Sequence, residues 1–134
     1  MTVDISPLQR AVARLEEGVA EFRADPSRTL SRDGLIQRFE FTYDLVPKIV
    51  RRVLVARMPS PDEIEELTFP ALLRTAYEQG LIGETWPVWL DFRKRRNITS
   101  HAYDEEQAKL VADAIPGFLE AVEELLRRLE RANK

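Results

Sequence analysis

Apolar residues recur at steps of three and four along almost the whole chain, and proline punctuates the pattern. That period lays them on one face of a helix, and no stretch alternates apolar with polar well enough to compete as a strand. Leu8, Val12, Leu15, Val19 and Phe22 mark a first helix over Ile5–Ala24. Asp25-Pro26-Ser27 closes it, because proline disfavours helical geometry in the residue before it. Leu35, Ile36, Phe39, Tyr43, Leu45, Val46, Ile49, Val50, Val53 and Leu54 make a wide stripe for a second, central helix from Ser31 to Arg57. Pro47 lies inside it and predicts a kink rather than a break, since the stripe keeps its phase beyond it.

Met58-Pro59-Ser60-Pro61 ends that helix. Ser60 with Glu63 reads as a capping box, with Pro61 at the first helical position. A third helix is expected over Asp62–Gln79, with Pro70 as a point of interruption, and Gly80 and Gly83 bracket a turn. A fourth is expected from Thr85, with Pro87 in its first turn, to Ser100 or His101. The last opens at Asp104, where Asp104 and Gln107 repeat the capping pattern. It runs on Leu110, Val111, Ala114, Ile115, Phe118, Leu119, Val122, Leu125, Leu126 and Leu129, with a bend at Pro116-Gly117. The expected fold is all-α: an up-and-down four-helix bundle with an additional short helix, in a single domain over residues 1–134.

The chain has no cysteine, which excludes disulfides, cysteine-held zinc and a thiol nucleophile. The N-terminus carries acidic residues early and lacks a continuous apolar stretch, so no signal peptide is expected. No apolar run reaches membrane-spanning length. These features predict a cytoplasmic protein with no membrane partner. A net charge of −3 argues against coating nucleic acid wholesale, but a local basic site is compatible with it.

Chemistry concentrates in WPVWLDFRKRRNITSHAY, Trp86 to Tyr103. It holds both tryptophans, the single histidine, His101, and the densest basic run, Arg93 to Arg96. Asn97 and His101, four apart, share a helical face. Arg96 and His101, five apart, are separated by about 140° on a regular helix. They converge on one ligand only if the helix loosens before His101 or a second copy supplies one of them. Tyr103 points the same way as His101 if the link to Asp104 is extended. An imidazole can move a proton to or from a ribose hydroxyl, and an arginine can hold phosphate oxygens, so the set suits metal-free cleavage of a ribonucleotide phosphodiester. One histidine per chain leaves that chemistry an acid or base short, which a two-fold dimer would supply. Plainer readings stand beside it. The basic run is a solvated helix end, His101 a turn residue, and Tyr103 a ring over the helix joint with a wet hydroxyl. Trp86 and Trp89 read as core or dimer interface. No metal-ligand cluster or phosphate loop is evident, and no cofactor or metal is expected.

Two blocks, DGLIQRFEFTYDL (Asp33–Leu45) and WLDFRKRRNITSHAYDEE (Trp89–Glu106), resemble the HEPN proteins paired with minimal nucleotidyltransferases, also called the nucleotidyltransferase substrate-binding protein family. RNITSHAY matches that family's Arg-x4-His-x-Tyr motif, and the likeness extends through IPGFLEAVEELLRRL. The resemblance implies a helical homodimer acting as the toxin of a type VII-like toxin–antitoxin pair. Such a toxin is an endoribonuclease that cuts RNA, tRNA or mRNA, without metal. Its cognate minimal nucleotidyltransferase antitoxin neutralises it by AMPylation of the motif tyrosine. Carried over, Arg96 binds phosphate and stabilises the transition state, and His101 is the general acid/base. Asn97 supports them, and Tyr103 is the modified residue. The family also includes members treated as non-catalytic substrate- or nucleotide-binding subunits, which is the alternative reading. Pro47 is the clearest departure, at a place where relatives often carry a bulky aromatic.

Overall fold

A computed structural model describes residues 3–83 and 86–133. Its helices are α1 (Ser6–Ala24), α2 (Thr29–Arg57), α3 (Pro61–Glu65), α4 (Phe69–Glu78), α5 (Val88–Ile98) and α6 (Glu105–Ala132), with a 3-10 turn at Thr99–His101 between the last two. No strand is present among the described residues. The all-α expectation holds, with α1, α2, α5 and α6 as the four main helices.

Their directions follow from which ends meet. The Val3 N–H donates to Asn133 Oδ1 at 2.9 Å, and Asn133 Nδ2 returns a bond to the Val3 carbonyl at 2.8 Å. The start of α1 therefore lies at the end of α6. Arg32 Nη1 donates to Glu105 Oε1 at 2.7 Å, which puts the starts of α2 and α6 together. Arg128, near the end of α6, donates to the Gly80 carbonyl, so the turn after α4 lies at the bundle's far end. From there α5 climbs back along α2 and α6, giving the up-down-up-down order.

Apolar steps of three and four become one continuous core. Phe118 on α6 is its aromatic hub, with ring centroids 4.8 Å from Phe39, 5.2 Å from Phe92 and 5.6 Å from Trp89. Trp89 is thus a core residue, and Trp86 is half-buried with the Arg74 guanidinium 5.6 Å from its ring. Leu110, expected inside, is 40% exposed.

Both internal prolines stay inside continuous helices, α2 and α6. Packing along a buried stripe outweighs one missing N–H. The expected third helix is two helices. The break falls at Glu66–Thr68, and Thr68 Oγ1 caps α4 by accepting from the Ala71 N–H, with Pro70 in the first turn. The capping box at Ser60 does not form: no side chain caps α3, and only the Ser60 carbonyl accepts, from the Glu63 N–H. The box at Asp104 forms its first half, Asp104 Oδ1 accepting from Gln107 N–H at 3.1 Å. Gly80 does end α4. Its φ of 75° lies in the left-handed region, and the Leu81 N–H reaches back to the Ala76 carbonyl at 2.9 Å. The expected start of the fourth helix, Thr85, lies outside the described residues.

Candidate functional site

The motif straddles the end of α5. Its four basic residues do not share one environment. Arg93 is exposed, with its guanidinium 5.2 Å from the Phe69 ring, and Lys94 points to solvent. Arg95 pairs with Asp91 at 3.6 Å and donates to the Leu110 carbonyl. Arg96 turns toward α2. The run is neither a uniform solvated end nor a uniform site.

Arg96 is held on two sides. Its Nε and Nη2 donate to the two carboxylate oxygens of Asp44 at 2.8 and 3.0 Å, a side-on bidentate pair. Its Nη1 donates to Thr99 Oγ1 at 2.9 Å and lies 3.6 Å from Glu40 Oε2. The Thr99 hydroxyl is 2.7 Å from Glu40 Oε2 and 2.8 Å from the Arg96 carbonyl, so it ties α2 to the end of α5. Asp44 raises the Arg96 pKa, its hydrogen bonds to the cation outweighing partial burial. A guanidinium carries five N–H donors. Three are engaged here, which leaves one on each Nη.

Asp44, Glu40 and Thr99 do not stand out as site residues in the sequence. Glu40 and Asp44 lie four apart on α2, a spacing that puts two carboxylates on one face. That spacing is the available signal, but it does not say which cation they meet.

His101 ends the 3-10 turn and is exposed. The chain tightens before His101 instead of loosening, because 3-10 geometry turns faster than α. From Arg96 to His101 the rotation becomes about 200° instead of about 140°. No hydrogen bond joins the two side chains, and the added rotation moves them further from a common helical face. The link past His101 is also a turn, not extended: the Asp104 N–H donates to the His101 carbonyl at 3.0 Å. Tyr103 nevertheless lies beside His101, ring centroids 6.3 Å apart in an edge arrangement. The phenol is 87% exposed, so its hydroxyl is open to a macromolecule. Asn97 is exposed, on a different groove from Tyr103.

Two grooves flank the Arg96 brace. One, of about 350 Å³, is lined by Asp33, Ile36, Gln37, Glu40, Thr99, Ala102 and Tyr103. The other, of about 400 Å³, contains Tyr43, Pro47, Phe69, Arg93, Arg96 and Asn97. Burial pushes the Tyr43 hydroxyl up to about 12, so it stays protonated and is no base near neutrality. What the site offers is an imidazole and a phenol side by side on the surface, and, five residues before the imidazole, an arginine fixed by a second helix. No described helix is long and apolar enough to cross a membrane.

The comparisons agree with this architecture. Residues 3–131 match the family described as nucleotidyltransferase substrate binding protein like. A relative in Haemophilus influenzae named probable ribonuclease HepT is 41% identical over 101 residues, spanning 75% of this chain and 68% of that protein. A Haemophilus influenzae structure, described as revealing the fold of a substrate binding domain of a nucleotidyltransferase, superposes with a TM-score of 0.88 at 34% identity. It covers 95% of this chain and 99% of its own. A crystal structure from Thermus thermophilus gives a TM-score of 0.76 at 30% identity, covering 91% and 98%. The resemblance in the two sequence blocks thus holds across the chain, which belongs to the nucleotidyltransferase substrate binding protein-like family.

Proposed function

We infer that this protein is the ribonuclease toxin of a toxin–antitoxin pair, a cytoplasmic, metal-independent endoribonuclease working as a homodimer. The observation that carries the reading is the arrangement of the motif. Arg96 is braced by Asp44 while His101 and Tyr103 stand exposed together, one turn further on. The relative named a probable ribonuclease supports the same class of activity. In this reading Arg96 holds the scissile phosphate and His101 moves the proton between the 2′-hydroxyl and the leaving oxygen. A second chain contributes another Arg96–His101 pair, and with it the acid or base that one histidine per chain leaves missing. Asn97 supports substrate contact. The partner is a minimal nucleotidyltransferase that transfers AMP to the Tyr103 hydroxyl, and the added bulk and negative charge beside His101 repel an RNA phosphate.

A second reading rests on the family's description and on the Haemophilus influenzae substrate-binding domain: a non-catalytic subunit that presents a substrate to its nucleotidyltransferase. One experiment separates the two. Purified protein, checked by intact mass for an attached nucleotide, is incubated with bulk RNA and tRNA in EDTA beside His101→Ala. Cleavage that needs His101 supports the toxin. An unmodified, folded dimer that cuts nothing supports the binding subunit.

A further inference from the structure

The two grooves beside Arg96 differ in charge. The groove under Tyr103 carries Asp33 and Glu40 and no cation among its described lining residues. On the other side, the groove containing Arg93 and Arg96 continues over Pro47 and Arg51 into one lined by Lys48, Arg51, Arg52 and Glu65. Five cations, Lys48, Arg51, Arg52, Arg93 and Arg96, line these two grooves against two acids, Asp44 and Glu65, among the described lining residues, with Glu40 reaching Arg96 from the other side. In a chain of net charge −3, that is a locally basic strip, and local charge governs approach to phosphate.

The strip has two further features. Arg51 is spent on structure, its guanidinium donating to the carbonyls of Ile64, Glu65 and Leu67, so it fixes the turn that forms one wall. Lys48, Arg52 and Arg93 are exposed, with no ion pair to an acid among the described residues. Tyr43, Pro47 and Phe69 give the groove an apolar floor between these cations.

From the Lys48, Arg52 and Arg93 strip running past Pro47 to Arg96, we propose that this groove binds a single-stranded RNA segment flanking the scissile phosphate. The segment lies across Pro47, its phosphates against Lys48, Arg52 and Arg93. A groove of about 400 Å³ has room for the nucleotide units of a single strand. The acidic groove under Tyr103 is left to the other partner. This inference rests on the ribonuclease reading, and the test separates the two.

The test measures binding of labelled oligouridylate, and of its DNA counterpart, to the His101→Ala protein across a salt series. The triple variant Lys48→Gln/Arg52→Gln/Arg93→Gln should bind oligouridylate at least about tenfold more weakly, with the salt slope reduced by about 0.7 for each phosphate no longer neutralised. The Arg14→Glu protein, altered on exposed α1, should bind like the parent. The DNA counterpart should lose affinity in parallel, since these contacts are to phosphate. The single variant Lys48→Gln, at an exposed position, guards against misfolding of the triple. Two results overturn the inference. One is parent-like RNA affinity and cleavage in the triple variant when His101 is present, which leaves the ribonuclease reading intact. The other is weakened binding of the nucleotidyltransferase with RNA affinity unchanged. No RNA binding by the His101→Ala protein together with no cleavage by the protein that keeps His101 overturns both.

Discussion

Asp44 grips Arg96 side-on from 52 positions away in the sequence, taking Nε and Nη2 with its two carboxylate oxygens. The motif arginine therefore does not swing freely over the surface. Its plane is set by α2, and any phosphate it binds must use the donors at the tips of its two Nη atoms.

Asp44→Ala should lower kcat for RNA cleavage about tenfold or more with little change in KM, since the arginine keeps its charge and loses its aim. Asp44→Asn keeps one acceptor and should recover part of the rate. Stability should fall by only about 0.5 kcal/mol, because Asp44 is 45% exposed and the pair is screened by solvent. Steady-state kinetics with denaturant melts check both. A rise in rate for Asp44→Ala would identify the carboxylate as a restraint on Arg96 instead.

Phe118→Ala should be the most damaging core change. The ring packs edge-on against Phe39, Trp89 and Phe92 and is fully buried. Deleting it should cost about 3–5 kcal/mol in a urea melt. The hub joins α6 to both α2 and α5, so the Arg96 brace should loosen with it.

Glu123→Gln should stabilise the protein near neutrality by about 0.5 kcal/mol. The Glu123 carboxyl is pushed up, first by a hydrogen bond with Glu16 on α1, then by burial and by the charge of Glu16. A folded-state pKa above the unfolded one means that the favourable protonated pair is fully present at low pH. It is lost as pH rises through the folded value, where the pair becomes repulsive. The advantage of Gln should therefore vanish below about pH 4, where the wild-type carboxyl is protonated in both states. Thermal melts at the two pH values test it.

Glu105→Gln should lower Tm at neutral pH and leave it unchanged in acid. Arg32 is buried and bonded to Glu105, and its Nε has no partner among the described residues. The Arg32 hydrogen bond holds the Glu105 carboxyl below its usual range. A depressed folded pKa gives stability that is present above the unfolded value and lost as pH falls through the folded one. An equal effect at both pH values would mean that shape, not charge, matters at this joint.

Much of this architecture is legible in the sequence because it rests on periodic burial. The stripes of α1, α2 and α6 survive Pro47 and Pro116, as their unbroken phase implies. Asp104 and Gly80 announce helix ends through side-chain and backbone chemistry that acts locally. The misreadings are local as well. Ser60 has the composition of a cap but does not form one, and Thr68, unremarkable in sequence, caps α4 instead. Leu110 fits the period yet is 40% exposed while Ala108 and Val111 beside it are fully buried, so the face that packs is narrower than the apolar stripe. The site is legible as a set of residue types and not as a geometry. Nothing in RNITSHAY says that the helix tightens at Thr99, or that the acids which orient Arg96 come from α2.

The paired bonds between Val3 and Asn133 make the bundle close to a ring. The two positions are 130 apart in sequence and within one hydrogen bond in space. A short linker between them would turn the chain into a circle, and the α1–α2 turn at 25–28, exposed throughout, offers a place to reopen it. The junction lies at the far end of α6 from His101, a helix of 28 residues, or about 40 Å. A fluorophore or surface tether placed there would report on assembly or binding without crowding the motif.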